Sequence, residues 1–486
     1  MVRLVTNCSD MANEASELVR AFFPKEKVDF LNAHCHENVF FILSINWSED
    51  SGTWLCTLLK GERLFHAVES IPLQGDGEDV VLFKRRKKAA MKKAVYSVLK
   101  QLTGKSLPYG MLTGVRPLTI VKRLREGDST EEIEQYLQKE YDISGEKAHL
   151  LSTTASVQES LHLDNNAAGL YINIPFCPSK CNYCSFPSEL ISAAEPYMDR
   201  YLDALERELW FVLEHVKTPI DCLYVGGGTP TCINERAFAR LTKLCREAVK
   251  AKGIQEFTLE AGRPDTIHKE KLSLMKEAGV TRISINPQTM NQGTLDRIGR
   301  RHTVQEVEAA FACARELGFH NINMDLILGL EGEKPLDVQN SYRQVFALDP
   351  EAITVHVLAL KHASELNRAG TDIFSYHAML SRSHADDQDL FEKHGYYPYY
   401  LYRQKYMLEN LENVGYAKQG KECIYNIRMM DDGCTCWAVG AGAISKRCFG
   451  GTRRIERQAN PKNLKDYVGN IEILLERKEK LIAEQS

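Results

Sequence analysis

Cys177-Pro-Ser-Lys-Cys181-Asn-Tyr-Cys184 is where metal-ligating residues crowd most closely in this sequence, at unequal CxxxCxxC spacing. Thiolates are soft ligands, suited to iron–sulfur clusters and to zinc. A structural zinc site takes four ligands, commonly two CxxC pairs, and is coordinatively closed. This loop offers three. Three thiolates on a four-iron cubane leave one iron open, able to chelate the amino and carboxylate groups of a small molecule. The alternative is a zinc loop completed by a residue from elsewhere in the chain. Most other cysteines (Cys8, Cys35, Cys56, Cys222, Cys232, Cys245, Cys313) are scattered singly, as small buried hydrophobes usually are.

Further chemistry-bearing residues follow apolar stretches at regular intervals. Gly226-Gly227-Gly228-Thr229-Pro230 can bring backbone close to a ligand. Glu260 ends the stretch EFTLE, Gln288 ends SINPQ, Gly299-Arg300-Arg301-His302 opens a helical segment, and Asp325 and Ile327 lie inside NMDLILGL.

The elements that must position these groups alternate between strand and helix. Apolar strands are expected at 170–174, 222–225, 257–259, 282–285, 323–328 and 353–358, with amphipathic helices at 201–216, 237–251, 304–317 and 335–348. Such alternation implies right-handed βαβ crossovers and a parallel sheet. Six such strands predict an α/β fold, a partial (β/α)6 TIM-like barrel over 166–365. Active sites of parallel barrels sit on the loops after the strand carboxyl ends. The cysteines, the glycines, Glu260, Gln288 and Asp325 are therefore expected at one mouth.

Before the barrel, 1–105 reads as an α+β domain, with strands at 39–47, 54–59 and 63–71 and a helix at 79–102 carrying KRRKKAAMKK. That basic run reads as a solvated helix face. A helical connector over 106–165, opening near Leu112-Thr-Gly-Val-Arg-Pro117, leads to the barrel, and 366–486 forms a C-terminal α/β extension. At 486 residues several domains are expected. A formal net charge of −4 argues against nucleic acid as the main partner. No leader-like opening and no apolar run of roughly 20 residues is present, so a cytoplasmic protein without a membrane partner is expected.

Tyr171-Ile-Asn-Ile-Pro-Phe-Cys177 leading into CxxxCxxC resembles the radical-SAM superfamily, and within it the oxygen-independent coproporphyrinogen III oxidases and their HemN-, HemW- and HemZ-type relatives. The similarity spans roughly 165–450, and the long N-terminal unit with LTGVRP looks most like the HemZ-type branch. The resemblance implies a [4Fe-4S] cluster on Cys177, Cys181 and Cys184, with S-adenosylmethionine on the open iron. By the same resemblance, the backbone of Gly227, Gly228 and Thr229 would hold the cofactor's amino group, and Arg300 its carboxylate. Asp325 would reach ribose hydroxyls beside Ile327, and Glu260 and Gln288 would line the cofactor site. Tyr171 and Tyr183 match aromatic positions beside cofactor and cluster, and Ala359 a small residue near adenine. The implied activity is that of a radical-SAM oxidoreductase, acting through a 5′-deoxyadenosyl radical on porphyrinogen propionates in haem biosynthesis. Implied partners are a tetrapyrrole, porphyrinogen or haem, and a low-potential electron donor such as flavodoxin or ferredoxin. A multiply acidic substrate needs cations, for which Arg263, Arg301, Lys361, His362 and Arg403 are candidates.

Two departures from the oxidase pattern bear on substrate. The oxidases carry a further cysteine two residues after the motif, where this chain has Ser185-Phe186, the pattern of haem-chaperone relatives. Those relatives carry His-Asn-x-x-Tyr-Trp, where this chain has Tyr425-Asn426-Ile-Arg-Met-Met. Val439-Gly-Ala-Gly442-Ala443 resembles a glycine segment common to both branches. The alternatives are a haem-binding chaperone without decarboxylase turnover, or another radical-SAM tetrapyrrole enzyme. Cys434-Thr-Cys436, with Cys423 and Cys448 nearby, raises a second metal site against the simpler reading of small residues on a half-buried strand. His34-Cys35-His36 reads as incidental.

Overall fold

The computed structural model describes residues 1–30, 39–75, 78–125, 127–359, 387–404, 410–450 and 454–484. Lys361, His362 and the 34–36 cluster lie outside them. The chain divides into two compact units, Met1–Ser152 with Arg403–Leu411, and Thr153–Tyr402 with Glu412–Ser486.

In the first unit, β1 (Val2–Thr6), β2 (Val28–Phe30), β3 (Phe41–Ser48), β4 (Thr53–Lys60) and β5 (Arg63–Ser70) form one sheet in the order β2-β1-β3-β4-β5. Helices α1 (Ala12–Phe22) and α2 (Val80–Thr103) join its core. Alternation decides which face is buried: Phe41, Leu43, Ile45 and Trp47 of β3 point inward, as do Trp54, Cys56 and Leu58 of β4. Asp79 caps α2 through the Val81 amide, and Gly104 ends it at φ +66°. The basic run on α2 meets local acids: Arg86 pairs with Glu78, Lys87 with Glu49, Lys88 with Glu14 and Lys93 with Glu69. Helices α3 (Leu118–Leu124), α4 (Thr130–Tyr141) and α5 (Gly145–Ser160) follow. The stretch read as a connector thus belongs with the first unit as far as Ser152.

The second unit opens with β6 (Ala168–Ile174), then the short β7 (Phe176–Cys177) and β8 (Glu189–Leu190). Helices α6 (Ile191–Ala194) and α7 (Met198–His215) lead to β9 (Ile220–Gly227). The repeat continues through α8 (Glu235–Lys252), β10 (Glu256–Glu260), α9 (Lys269–Ala278) and β11 (Arg282–Ser284). After α10 (Gln292–Arg297) and α11 (Val304–Glu316) come β12 (Ile322–Leu328), α12 (Pro335–Leu348) and β13 (Ala352–Val357). The strands β6-β9-β10-β11-β12-β13 are parallel neighbours in chain order. This is the partial TIM-like barrel. All six carboxyl ends share one rim, so the loops after them converge.

The C-terminal extension completes the same sheet. Helix α13 (Asp387–Lys393) precedes β14 (Tyr397–Tyr402), which pairs with β15 (Asn413–Ala417), itself antiparallel to β13. After α14 (Ile424–Met430), β16 (Cys436–Val439) adds in parallel to β6, and β17 (Ile444–Cys448) and β18 (Ile455–Ala459) continue outward. Helices α15 (Leu464–Gly469) and α16 (Ile471–Ala483) pack on α7. Among the described residues, no helix is long and apolar enough to cross a membrane.

Candidate active site

The cysteine loop leaves β6 and is bound to the glycine loop after β9. The Gly228 amide donates to the Ile174 carbonyl at 2.9 Å and the Thr229 amide to Phe176 at 2.6 Å. The Thr229 hydroxyl reaches the Cys177 sulfur at 3.7 Å. With these amides committed to the cysteine strand, the glycine loop offers carbonyls, the groups an ammonium needs. A side chain at 228 would be intolerable. An added Cβ would stand 2.3 Å from the Phe176 oxygen and 2.9 Å from the Cys177 sulfur. Gly228→Ala is therefore expected to displace Cys177, at a stability cost of about 1–3 kcal/mol, and to lose cluster loading. Gly262→Ala, whose Cβ would meet only the Asn286 amide nitrogen at 3.4 Å, should load normally. Iron per folded chain is the measurement.

Cys181 is buried, while Cys177 and Cys184 are half-buried. Burial first, and the nearby Cys181 and Cys177, push the Cys184 thiol up. Arg300 lies not inside a helix but in the turn between α10 and α11, 7% exposed. It donates to the Gly262 carbonyl at 3.3 Å and bonds Tyr183, while its Nε has no partner. A buried guanidinium with an unsatisfied donor suits a carboxylate. Among the described residues, no group of three or more His, Cys, Asp or Glu is arranged around a single metal ion. Three thiolates on one loop are a donor set that fits a cubane, one to each of three irons.

The acids lie on β10 and β12, the strands on either side of β11. Glu260 ends β10 and accepts from the Tyr224 hydroxyl. Burial first, with the charge of Asp325 adding, pushes its pKa up to about 7. Burial also opposes ionisation of Asp325, but His356, 3.7 Å away, and the Asn323 amide at 2.7 Å outweigh it and lower its pKa. The pKa values of two carboxyls on one sheet are thus driven apart, Glu260 raised to about 7 and Asp325 lowered. Because Glu260 binds its proton more tightly when folded, its contribution to stability falls as pH rises between about 4.5 and about 7. Glu260→Gln should therefore gain stability relative to the native chain across that window and level off above it. Paired thermal melts over that range check this.

Gln288 sits beyond β11 with φ +70°, held by its amide to the Asp325 carbonyl at 2.9 Å and by its carbonyl to the Ile327 amide at 2.8 Å. That left-handed backbone is unusual outside glycine and aims the loop at β12. Ile327 is buried on β12, and Ala359 is half-buried just past β13. Tyr171 on β6 and Tyr224 on β9 stack with Tyr425 of α14 at ring centroids 5.8 and 4.7 Å.

Two candidate substrate cations are otherwise engaged. Arg263 is 4% exposed, forked onto Asp265 at 2.9 and 3.0 Å and bonded to Ser179 of the cysteine loop at 2.8 Å. It braces the loop. Arg403 belongs to the first unit, bonding the carbonyls of Leu112 and Asn410 and covering the Tyr109 ring. Arg301 is exposed.

Sequence reasoning missed Tyr224 and His356, and named Tyr425 only as a departure from the haem-chaperone segment. Tyr224 was accessible from period-two alternation, since it shares a face with Gly226. Cys232, read as scattered, stands near Cys177, and burial pushes its thiol up to about 12.

The radical-SAM superfamily model matches residues 171–345. The oxygen-independent coproporphyrinogen-III oxidase-like protein HemZ of Bacillus subtilis is 40% identical over 387 residues, 76% of each chain. The chain belongs to the radical-SAM HemN/HemZ family. Members of this family use a [4Fe-4S] cluster and S-adenosylmethionine. The heme chaperone HemW of Bacillus subtilis is 32% identical over 59% of this chain and 72% of the relative. The Escherichia coli coproporphyrinogen III oxidase HemN shares the HemN/HemZ fold at a TM-score of 0.50 and 22% identity, over 66% of this chain and 73% of that one.

Proposed function

We propose that this chain is an oxygen-independent coproporphyrinogen III oxidase-type enzyme, which oxidatively decarboxylates porphyrinogen propionates to vinyl groups in haem biosynthesis. In this reading Cys177, Cys181 and Cys184 hold the cluster. Arg300 forks onto the cofactor carboxylate through its unsatisfied Nε, the 227–229 backbone accepts the ammonium, and Asp325 receives the ribose hydroxyls. Glu260, Gln288, Ile327, Ala359, Tyr171 and Tyr183 line the remainder. Bound together, cluster and S-adenosylmethionine supply a carbon radical able to abstract hydrogen from an unactivated position. The protein's share is to orient, to exclude water and to keep the pKa of Glu260 raised while that of Asp325 is lowered.

The observation that favours an enzyme over a haem carrier is the placement of Tyr425. Haem-chaperone relatives have histidine at the start of that segment. Here the position is a tyrosine, 6% exposed and stacked on Tyr171 and Tyr224 inside the barrel. It offers no imidazole to a haem iron. Ser185-Phe186 favours the carrier reading. Anaerobic incubation of the loaded chain with reductant, S-adenosylmethionine and coproporphyrinogen III separates the two. Protoporphyrinogen and 5′-deoxyadenosine are the expected products. Stoichiometric haem capture without 5′-deoxyadenosine would remove the enzyme reading. A flavodoxin- or ferredoxin-type donor would deliver the electron from an exposed face.

A further inference from the structure

Five cysteines outside the cluster loop gather at the end of the second unit opposite the site. Cys222, Cys423 and Cys436 are buried there, and Cys434 and Cys448 are half-buried. Cys448 ends β17, and Cys434 lies in the bend two residues before β16. Cys436 of β16 pairs with Lys446 of β17 in an antiparallel ladder, and Cys434 and Cys448 lie just beyond that pair. Direct bonds join the two segments: the Cys448 amide donates to the Thr435 hydroxyl at 3.1 Å, and the Cys448 thiol reaches the Cys434 carbonyl at 3.2 Å, which puts the two cysteines in contact.

The surroundings favour one of these sulfurs as a nucleophile. The Arg428 guanidinium, fixed by a buried fork onto Asp221, lies 3.8 Å from the Cys434 sulfur. The Lys446 ammonium is held close by, on the carbonyls of Arg428 and Met429 at 3.1 and 3.2 Å. Cations beside a partly exposed thiol stabilise the thiolate, the reactive form. Cys436 differs: it is 1% exposed, and burial pushes its thiol up to about 12.

We propose that Cys434 and Cys448 are a peroxide-reactive thiol pair that closes reversibly into a disulfide across the β16–β17 ladder. The Cys434 thiolate attacks hydrogen peroxide, giving a sulfenic acid and hydroxide. The Cys448 thiol then displaces water from that sulfur. Two thiols and one peroxide yield one disulfide and two waters, with two electrons passing to peroxide. Because β16 lies directly on β6, the bond would form at the end of that strand remote from the cluster loop it feeds.

The test uses the full cluster-loaded chain, treated with hydrogen peroxide, quenched with N-ethylmaleimide and digested with trypsin without reductant. Cleavage after Arg428, Lys446, Arg447 and Arg453 puts Cys434 and Cys436 on peptide 429–446 and Cys448 on peptide 448–453. The two peptides should appear as one linked species after peroxide, and separate again after dithiothreitol. The link should vanish in Cys434→Ser and persist in Cys436→Ser. Recovery of both peptides only as maleimide adducts would overturn the proposal. So would a link that survives Cys434→Ser. The native chain and Cys434→Ser decide the matter even if the buried Cys436→Ser variant fails to fold.

Discussion

Cys181→Ala removes the iron–sulfur absorbance of the anaerobically loaded chain and leaves the protein soluble and folded. Both halves of this expectation follow from how the loop is held. Its shape does not depend on the thiol. The Asn182 side chain donates to the Arg297 carbonyl at 2.9 Å, the Cys184 amide to the Cys181 carbonyl at 3.1 Å, and Arg263 grips Ser179. Truncating one small, 9% exposed side chain should cost about 1 kcal/mol, typical of single substitutions. Cluster binding is another matter, because two thiolates cannot hold a cubane designed around three. Iron and sulfide analysis with circular dichroism measures both outcomes. A full cluster spectrum in the variant would mean that the ligands are misassigned.

Glu208→Ala is the most destabilising single change expected in the second unit, by about 3–5 kcal/mol. Glu208 and Lys478 are both fully buried and 3.0 Å apart. The carboxylate also accepts from the Gly440 amide at 2.8 Å, Asn460 at 2.8 Å and the Tyr467 hydroxyl at 2.6 Å. Removing it strands an ammonium and three donors away from water. Denaturant unfolding gives the magnitude. Replacing both charged partners with apolar residues, Glu208→Leu with Lys478→Met, should recover part of the loss, because the stranded charge is then gone while the donors stay unpaired. The consequence reaches the site, since the Asn173 amide on β6 donates to the carbonyl of Ala441, one residue beyond Gly440. Equal destabilisation in the single and double variants would contradict this account of the pair.

The barrel was legible because parallel strands are written locally. Each is a short, nearly continuous apolar run such as AGLYINI or INMDLIL, with an amphipathic helix after it. Chemistry placed at the ends of such runs advertises itself. The fourth strand, expected to 285, stops at Ser284 because the chain swings out to make the strained turn at Gln288. Contacts made far along the sequence had no such signal. That β16 would insert beside β6, or that Tyr425 would slide between Tyr171 and Tyr224, depends on pairing across some 250 residues, for which neither strand carries a local mark. The cations show the same limit. Arg263 sits beside a motif loop and reads as a substrate ligand, yet Asp265, two residues on, satisfies it as a brace.

The most direct test is metal and cofactor analysis of chain purified without oxygen. About four irons and four sulfides per chain are expected, with a cluster spectrum that changes on adding S-adenosylmethionine, because three cysteines would leave one iron able to take that ligand. Zinc in place of iron and sulfide, or a cluster spectrum indifferent to S-adenosylmethionine, would contradict the account.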